Sequence, residues 1–229
     1  MALGIEDVGL GVQWLDFDAS PHLMVFGDAE TGKTGLLRHI ARAVVAHHGP
    51  GEAKVMFGDV RRELYDAIPE ENQIEYAVGS DALTQSIANA AAALSARVPG
   101  PDIPPGRLPL RDWWTGGRLY IVIDDFQLVE GGMGAGPLEP LLPLIAQGAD
   151  IGLHLIVARS TAGASRTMMN PVMRRMWELG TPAVLFSCPR GEGSFLGTVK
   201  PRTLPPGRAQ FINRRRGVRL VQTPLVEGN

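Results

Sequence analysis

An α/β fold, with a mostly parallel sheet covered by helices on both faces, is what this sequence predicts. Short, almost wholly apolar runs recur along the chain, and they alternate with stretches whose apolar residues repeat at helical spacing. A third observation concerns the end, where two apolar stretches, 208–212 and 218–221, flank the polar turn 213–217 and predict a C-terminal β-hairpin or paired edge strands.

Each element follows in order. HLMVF at 22–26 is short enough and apolar enough for a buried strand, and it stops at Gly27. Between 34 and 48, Leu36, Leu37, Ile40, Ala41, Val44 and Val45 recur at helical spacing until Gly49-Pro50-Gly51 ends the helix. Residues 54–57 are a second buried strand. Ser80 is expected to cap an Ala-rich helix over 81–98, which the prolines from Pro99 onward stop. A loop with five prolines and the pair Trp113-Trp114 leads to a wholly apolar strand at 119–123. Residues 138–148 read as a helix despite Pro140 and Pro143, 153–158 as a strand, 170–179 as a helix and 183–186 as a strand. No repeat or linker divides the chain, and the glycine-rich stretch 131–136 is too short to join domains. At roughly 100–200 residues per domain, the 229 residues are expected to form a single domain, 1–229.

Composition narrows the function. Basic residues number 22 against 24 acidic, a net charge of −2, which excludes the strongly basic footprint of a DNA-coating protein. One cysteine, Cys188, excludes an internal disulfide framework and suits a reducing compartment. No apolar run approaches the roughly 18–20 residues that span a bilayer, so a soluble, intracellular-type domain is the expectation.

The strongest chemical signal is GDAETGKT at 27–34, which fits G-x-x-x-x-G-K-[ST], the P-loop. Gly27 and Gly32 permit backbone angles and approaches that a Cβ would forbid, so successive N–H groups of Asp28, Ala29, Glu30, Thr31, Gly32 and Gly35 can face phosphate oxygens. Lys33 places an ammonium on the outer phosphates, Thr34 offers a hydroxyl to Mg²⁺, and the helix that starts there adds its positive end. A surface glycine turn beside a lysine is the bland alternative. Here the motif follows a strand and opens an amphipathic helix, as phosphate binding requires.

The second signal is LYIVIDDF at 119–126. An acid at the carboxyl edge of a buried strand is where a P-loop protein holds Mg²⁺, which makes Asp124 the candidate metal residue beside Thr34. Asp125 stands where many ATPases carry a glutamate that polarises the attacking water. Being one methylene shorter, it predicts weak water activation. Lys33, Asp124 and Asp125 are thus the candidate catalytic residues.

These motifs and the segments around them resemble the FtsK/SpoIIIE-type ATPase modules of the EccC family, the motors of ESX type VII secretion. The resemblance rests on GDAETGKTGLLRHIAR (27–42), VRRELYDAIPEE (60–71), RVPGPDIPP (97–105), LRDWWTGG (110–117) and IDDFQLV (123–129). It continues through PLEPLLPLIAQGADIGLHLIVAR (137–159), ELG (178–180), PPGRAQF (205–211) and RRRGVRLVQ (214–222). The chain departs from the family at Gly58-Asp59, where an apolar residue usually precedes the acid, and at Phe126-Gln127, where Tyr-Asp is favoured.

The resemblance implies a RecA-like P-loop fold and a place as the C-terminal module of a longer chain with several ATPase domains. That chain is anchored in the inner membrane, so this piece would lie in the cytoplasm at the membrane's inner face. ATP and Mg²⁺ are the implied cofactors, with binding more marked than hydrolysis, in keeping with the Asp124-Asp125 pair. The implied partners are small helical WXG-type substrates of the EsxA/EsxB kind, met through the C-terminal signal of an EsxB-like protein, together with neighbouring ATPase modules in a hexamer-type ring and the ESX membrane complex. A fully active FtsK-like translocase acting on protein or DNA is the alternative. The adenine is expected against late-chain loops, at Pro206, Gly207 and Arg208.

Other residues read less sharply. Arg159 and Arg166 could sense the nucleotide state, and Arg97, Arg202 or Arg208 could act on a neighbouring module. Arg214-Arg215-Arg216 with Arg219 lacks interleaved aromatics and reads as a solvated turn, so no nucleic acid partner is expected. His39, His47 and His48 lack cysteine or histidine partners at metal-ligand spacing, and His154 reads as a core histidine. Cys188 has no adjacent histidine to activate it. Trp113-Trp114 could dock a partner or pack the loop onto the sheet.

Overall fold

The computed structural model describes residues 1–131, 136–164 and 168–226. Its centre is one ten-stranded sheet in the order β2-β1-β10-β9-β8-β3-β7-β6-β4-β5. The strands are β1 (Ala2–Glu6), β2 (Val12–Trp14), β3 (Leu23–Phe26), β4 (Ala53–Gly58), β5 (Gln73–Ala77), β6 (Arg118–Ile123), β7 (Leu153–Arg159), β8 (Ala183–Leu185), β9 (Arg208–Asn213) and β10 (Gly217–Gln222). From β8 to β5 every pairing is parallel. From β8 outward to β2 every pairing is antiparallel.

The parallel strands inside the edge strand β5 are buried on both faces, and their side chains alternate between two cores. Met24 and Phe26 of β3 join Ile121 and Ile123 of β6 on one face, under α2 (Ser80–Ser95) and α4 (Pro171–Glu178). Leu23 and Val25 face the other way with Tyr120 and Val122, against Leu36, Leu37, Ile40 and Val44 of α1 (Lys33–His47). This is why the strands read as continuous apolar runs and why α1 shows one apolar stripe. Asn170 caps α4, its carbonyl oxygen accepting from Val172 N and Met173 N, with Pro171 in the first turn.

The expected hairpin is β9–β10, registered from Gly217 opposite Asn213 to Gln222 opposite Arg208. Its turn is closed by Asn213 Oδ1, which accepts from Arg215 N and Arg216 N, and by Gly217 at φ 80°.

Three expectations need correction. Residues 138–148 form 3-10 turns at Gly136–Leu141 and Ile145–Gln147, with a single α-turn at Gly148–Ile151 (α3). Pro140 removes an amide that a longer α-helix would use. Ser80 is the first helical residue rather than the cap; Gly79 occupies the cap position, and no side chain bonds there. β1, β2 and β5 are additions, because Ala2–Glu6 and Val12–Trp14 are short and mixed, and the edge strand Gln73–Ala77 leaves Ile74 exposed. Of the glycine stretch read as a loop, residues 132–135 lie outside the described residues. No helix of the described residues is long and apolar enough to cross a membrane.

Candidate functional site

The P-loop runs from the carboxyl end of β3 into the first turn of α1, at the centre of the parallel strands. A Cβ on Gly27 would lie 2.5 Å from Thr31 Oγ1 and 2.8 Å from Phe186 Cβ, so only glycine lets the loop turn there. Gly32 sits at φ 110°, and its Cα packs where a Cβ would stand 3.2 Å from Gly207 N. Glu30 adopts a left-handed φ of 59°. The loop curls around the Asp28 carbonyl, which accepts from Thr31 Oγ1 and Lys33 Nζ, each at 2.8 Å. The buried Lys33 ammonium thus rests on an uncharged carbonyl, which an anion arriving in the loop can replace as its partner. The Asp28 carboxylate is engaged separately, by the Thr161 hydroxyl.

Beneath the loop, Asp124 directly follows β6 with 4% of its surface exposed. Its Oδ2 accepts from Thr34 Oγ1 at 2.5 Å and its Oδ1 from Asp125 N at 2.8 Å. Burial pushes the Asp124 carboxyl up to about 6, the Thr34 hydrogen bond opposes this, and the Asp125 charge adds to it. A desolvated carboxylate paired with a hydroxyl is a donor set for a hard divalent cation, whose charge would relieve the penalty of ionising Asp124. The two residues drawn from distant parts of the sequence to hold Mg²⁺ are therefore in direct contact.

An open cavity of about 620 Å³ lies above them. Ala29, Glu30, Gly32, Lys33, Thr34 and Gly35 line one side, and Pro206 and Gly207 line another with the segment from Gln222 to Val226. Gly207 N donates to Thr31 O at 2.8 Å, which ties this late loop to the P-loop. Gly27, Asp28, Thr31 and Asp124 lie outside the lining and act from behind it. Arg208 also lies outside it, because its guanidinium pairs with Asp7 in the turn that follows β1.

Asp125 borders the cavity in a left-handed conformation, φ 45° and ψ 46°. Both of its carboxylate oxygens are engaged, Oδ2 by Arg61 Nε at 2.5 Å and Oδ1 by Gln127 Nε2 at 2.9 Å. Arg61, Glu63, Gln127 and Ser160 complete the cavity and were not foreseen. A position rule could have found Arg61 and Ser160, since both follow the carboxyl ends of parallel strands, β4 and β7, where ligands of such sheets bind.

The remaining candidates have structural partners. Arg159 is buried and pairs with Glu130 at 2.8 Å, outside the cavity lining. Arg166 lies outside the described residues. Arg97 stacks over Trp114 at 4.4 Å and donates to the carbonyls of Gly117 and Ile151. Trp113 Nε1 donates to Arg97 O and Trp114 Nε1 to Asp150 O, so these tryptophans pack their loop onto the body. Arg202 borders a separate pocket with Glu6 and Asp7. The turn arginines are exposed at Arg215 and Arg216, while Arg214 lies 4.7 Å over Trp177.

His39 Nε2 bonds Ala2 O, and His154 stacks on Tyr120 with its Nδ1 near Pro21 O, leaving Nε2 without a partner. His22, which the sequence reading passed over, is the fully bonded core histidine: Nε2 meets Ile145 O and Nδ1 accepts from Leu155 N. Cys188 is buried, and burial pushes its thiol up, away from nucleophilic reactivity. Among the described residues, no cluster of three or more His, Cys, Asp or Glu could hold a metal by itself.

No family model matches the chain. It is 42% identical over 225 residues to the ESX secretion system protein EccC of Thermomonospora curvata, covering 98% of this chain and 17% of that protein. It is 37% identical over 220 residues to the ESX-4 secretion system protein EccC4 of Mycobacterium tuberculosis, covering 96% of this chain and 18% of that protein. The chain thus spans under a fifth of the length of these relatives. The solved cytoplasmic domain of the T. curvata type VII secretion ATPase EccC superposes with a TM-score of 0.95, covering 100% of this chain and 26% of that one. A second solved structure, of T. curvata EccC ATPases 2 and 3 in complex with a signal sequence peptide, gives the same TM-score of 0.95 over 41% of its chain. With its P-loop, its buried aspartate and its sheet order in place, the chain is a homologue of the EccC ATPases of ESX secretion systems and has the fold of their cytoplasmic ATPase domain.

Proposed function

We propose that the chain is a Mg·ATP-binding module of a type VII secretion motor, C-terminal in its parent, that contributes to recognising and exporting small helical WXG-type substrates. The observation that carries the reading is the Thr34–Asp124 contact at 2.5 Å beneath a glycine-built loop that opens into one cavity with Lys33. Lys33 and the loop amides would hold the phosphates, Thr34 and Asp124 the Mg²⁺, and Pro206 and Gly207 would flank the base. When bound, the nucleotide supplies a phosphoanhydride bond and a triphosphate charge whose presence or absence the module can report. Weak hydrolysis fits the choice of Asp125, one methylene shorter than the glutamate that many ATPases carry there and held through Oδ1 by Gln127.

A signal sequence peptide is bound in the T. curvata complex, and the near-identical fold supports an EsxB-like C-terminal signal as this chain's partner. Neighbouring modules of a ring and the ESX membrane complex complete the proposed assembly, at the cytoplasmic face of the membrane.

Equilibrium binding of a fluorescent ATP analogue with and without Mg²⁺, together with steady-state hydrolysis, tests the reading. Tight Mg-dependent binding with turnover near background, raised by Asp125→Glu, is expected. Fast wild-type turnover abolished by Lys33→Ala would show an active motor instead. Titration with an EsxB-like C-terminal peptide and with duplex DNA assigns the partner, and saturable binding of DNA alone would overturn the protein-export reading.

A further inference from the structure

Arg61 stands at the mouth of the cavity with two possible anionic partners, and the structure shows it on one of them. Its side chain is 59% exposed, yet Nε meets Asp125 Oδ2 at 2.5 Å. It lines the same cavity as Lys33, Thr34 and Gln127. The loop that carries it is fixed at both ends. Asp59, buried at the end of β4, takes Leu64 N at 2.6 Å and the Tyr76 hydroxyl on its Oδ2. Arg38, buried on α1, reaches back to Asp66 at 2.6 Å and to the Glu63 carbonyl. Arg62 completes the turn in the left-handed region at φ 61°. Asp59, Arg38 and Arg62 thus build a platform that presents Arg61 to the site.

The other end of the contact leads into the body. Gln127 donates from Nε2 to Asp125 Oδ1 at 2.9 Å and accepts on Oε1 from Ser160 N at 2.9 Å. Asp125 is therefore held between Arg61 on the β4 side and, through Gln127, the first residue after β7. The Phe126-Gln127 departure supplies that link: an amide can donate to one group and accept from another, which a carboxylate cannot.

Resting on the nucleotide-binding reading, we infer that Arg61 reads the third phosphate and that Asp125 is its resting counter-ion. Without nucleotide, or with a diphosphate, Arg61 stays on Asp125. A triphosphate in the cavity brings a second, more highly charged anion to the same guanidinium, and Arg61 transfers to it. The transfer frees one Asp125 oxygen and slackens the Gln127–Ser160 link, so the 125–130 turn and the end of β7 respond to the triphosphate alone. Arg61 acts within the same chain in this scheme, touching the third phosphate when it is present and holding Asp125 when it is not.

The test compares ATPγS and ADP, each with Mg²⁺, on wild type, Arg61→Ala and Arg61→Lys. Affinities are read by calorimetry, and amide hydrogen exchange is followed over 125–130 and at 159–161. Wild type is expected to bind ATPγS more tightly than ADP. Arg61→Ala should reduce that preference about tenfold, the scale of one charge-assisted contact at a partly exposed site, with ADP affinity unchanged. Arg61→Lys should recover part of it. Exchange over 125–130 should rise with ATPγS and not with ADP, and should already be raised in nucleotide-free Arg61→Ala. An undiminished ATPγS preference in Arg61→Ala, or equal exchange with both nucleotides, overturns the inference while the nucleotide-binding reading stands. Failure of wild type to bind either nucleotide overturns that reading, and this inference with it.

Discussion

Replacing Asp124 by Asn should make the metal-free protein more stable at neutral pH while removing the Mg²⁺ dependence of nucleotide binding. Asp124 carries a full charge in a nearly buried position, and burial raises its carboxyl from an ordinary value of 3.8 to about 6. A rise of that size corresponds to roughly 3 kcal/mol of penalty for the ionised form, as an upper figure. The sign follows from linkage: between pH 3.8 and 6 the folded protein binds a proton that the unfolded chain has released. Stability from this group is thus fully present below pH 3.8 and lost as pH rises through 6. Asn is nearly isosteric. Its oxygen can keep the bond from Asp125 N, and the Thr34 hydroxyl can turn to accept from its amide. Urea unfolding in EDTA, compared at pH 4.5 and 7.5, is the assay. Asp124→Asn should exceed wild type by about 1–3 kcal/mol at the higher pH, with the gap shrinking at the lower. A variant less stable than wild type at both, or a gap independent of pH, would refute the desolvation argument.

Lys33→Ala should weaken nucleotide binding by at least about a hundredfold, since it removes a charge-assisted contact at the phosphates, while circular dichroism stays unchanged. Arg97→Ala strips the guanidinium from Trp114 and from two carbonyls, and should cost about 1–3 kcal/mol in urea unfolding without altering nucleotide affinity. His22 is held down to about 4 by burial, so between that value and 6.5 the unfolded chain takes up a proton that the folded one refuses. Its contribution to stability therefore falls as pH drops through that window, and His22→Gln should flatten this part of the profile measured by thermal unfolding at pH 4.5 to 7.

The parallel centre was legible because strands buried on both faces carry long apolar runs, as β3 does throughout, β6 over Leu119–Ile123 and β7 over Leu155–Ala158. The P-loop was legible because glycines at Gly27 and Gly32 are required by close contacts that no other residue satisfies. β1, β2 and β5 were not, since their pairing is decided by partners far away, as when Ile5 lies opposite Gln222. The 3-10 turns at 136–147 follow from prolines whose effect depends on how the segment packs under α2 and α4. Among late-chain residues, Pro206 and Gly207 reach the cavity, whereas Arg208 turns toward Asp7, in the turn of a β1–β2 pair that the sequence did not reveal.

By itself, the sequence determined a P-loop motif after a buried strand, an acid after a second strand, and the α/β fold class that holds them. These are local requirements, set by backbone angles and by burial within a few residues. Only the tertiary structure decided that Thr34 and Asp124 touch across 90 positions. It also decided that Asp125, expected to face a water, has both oxygens taken by Arg61 and Gln127. The physical reason is that a carboxylate's availability depends on which charges the folded sheet edge brings beside it, and neither spacing nor residue type records that.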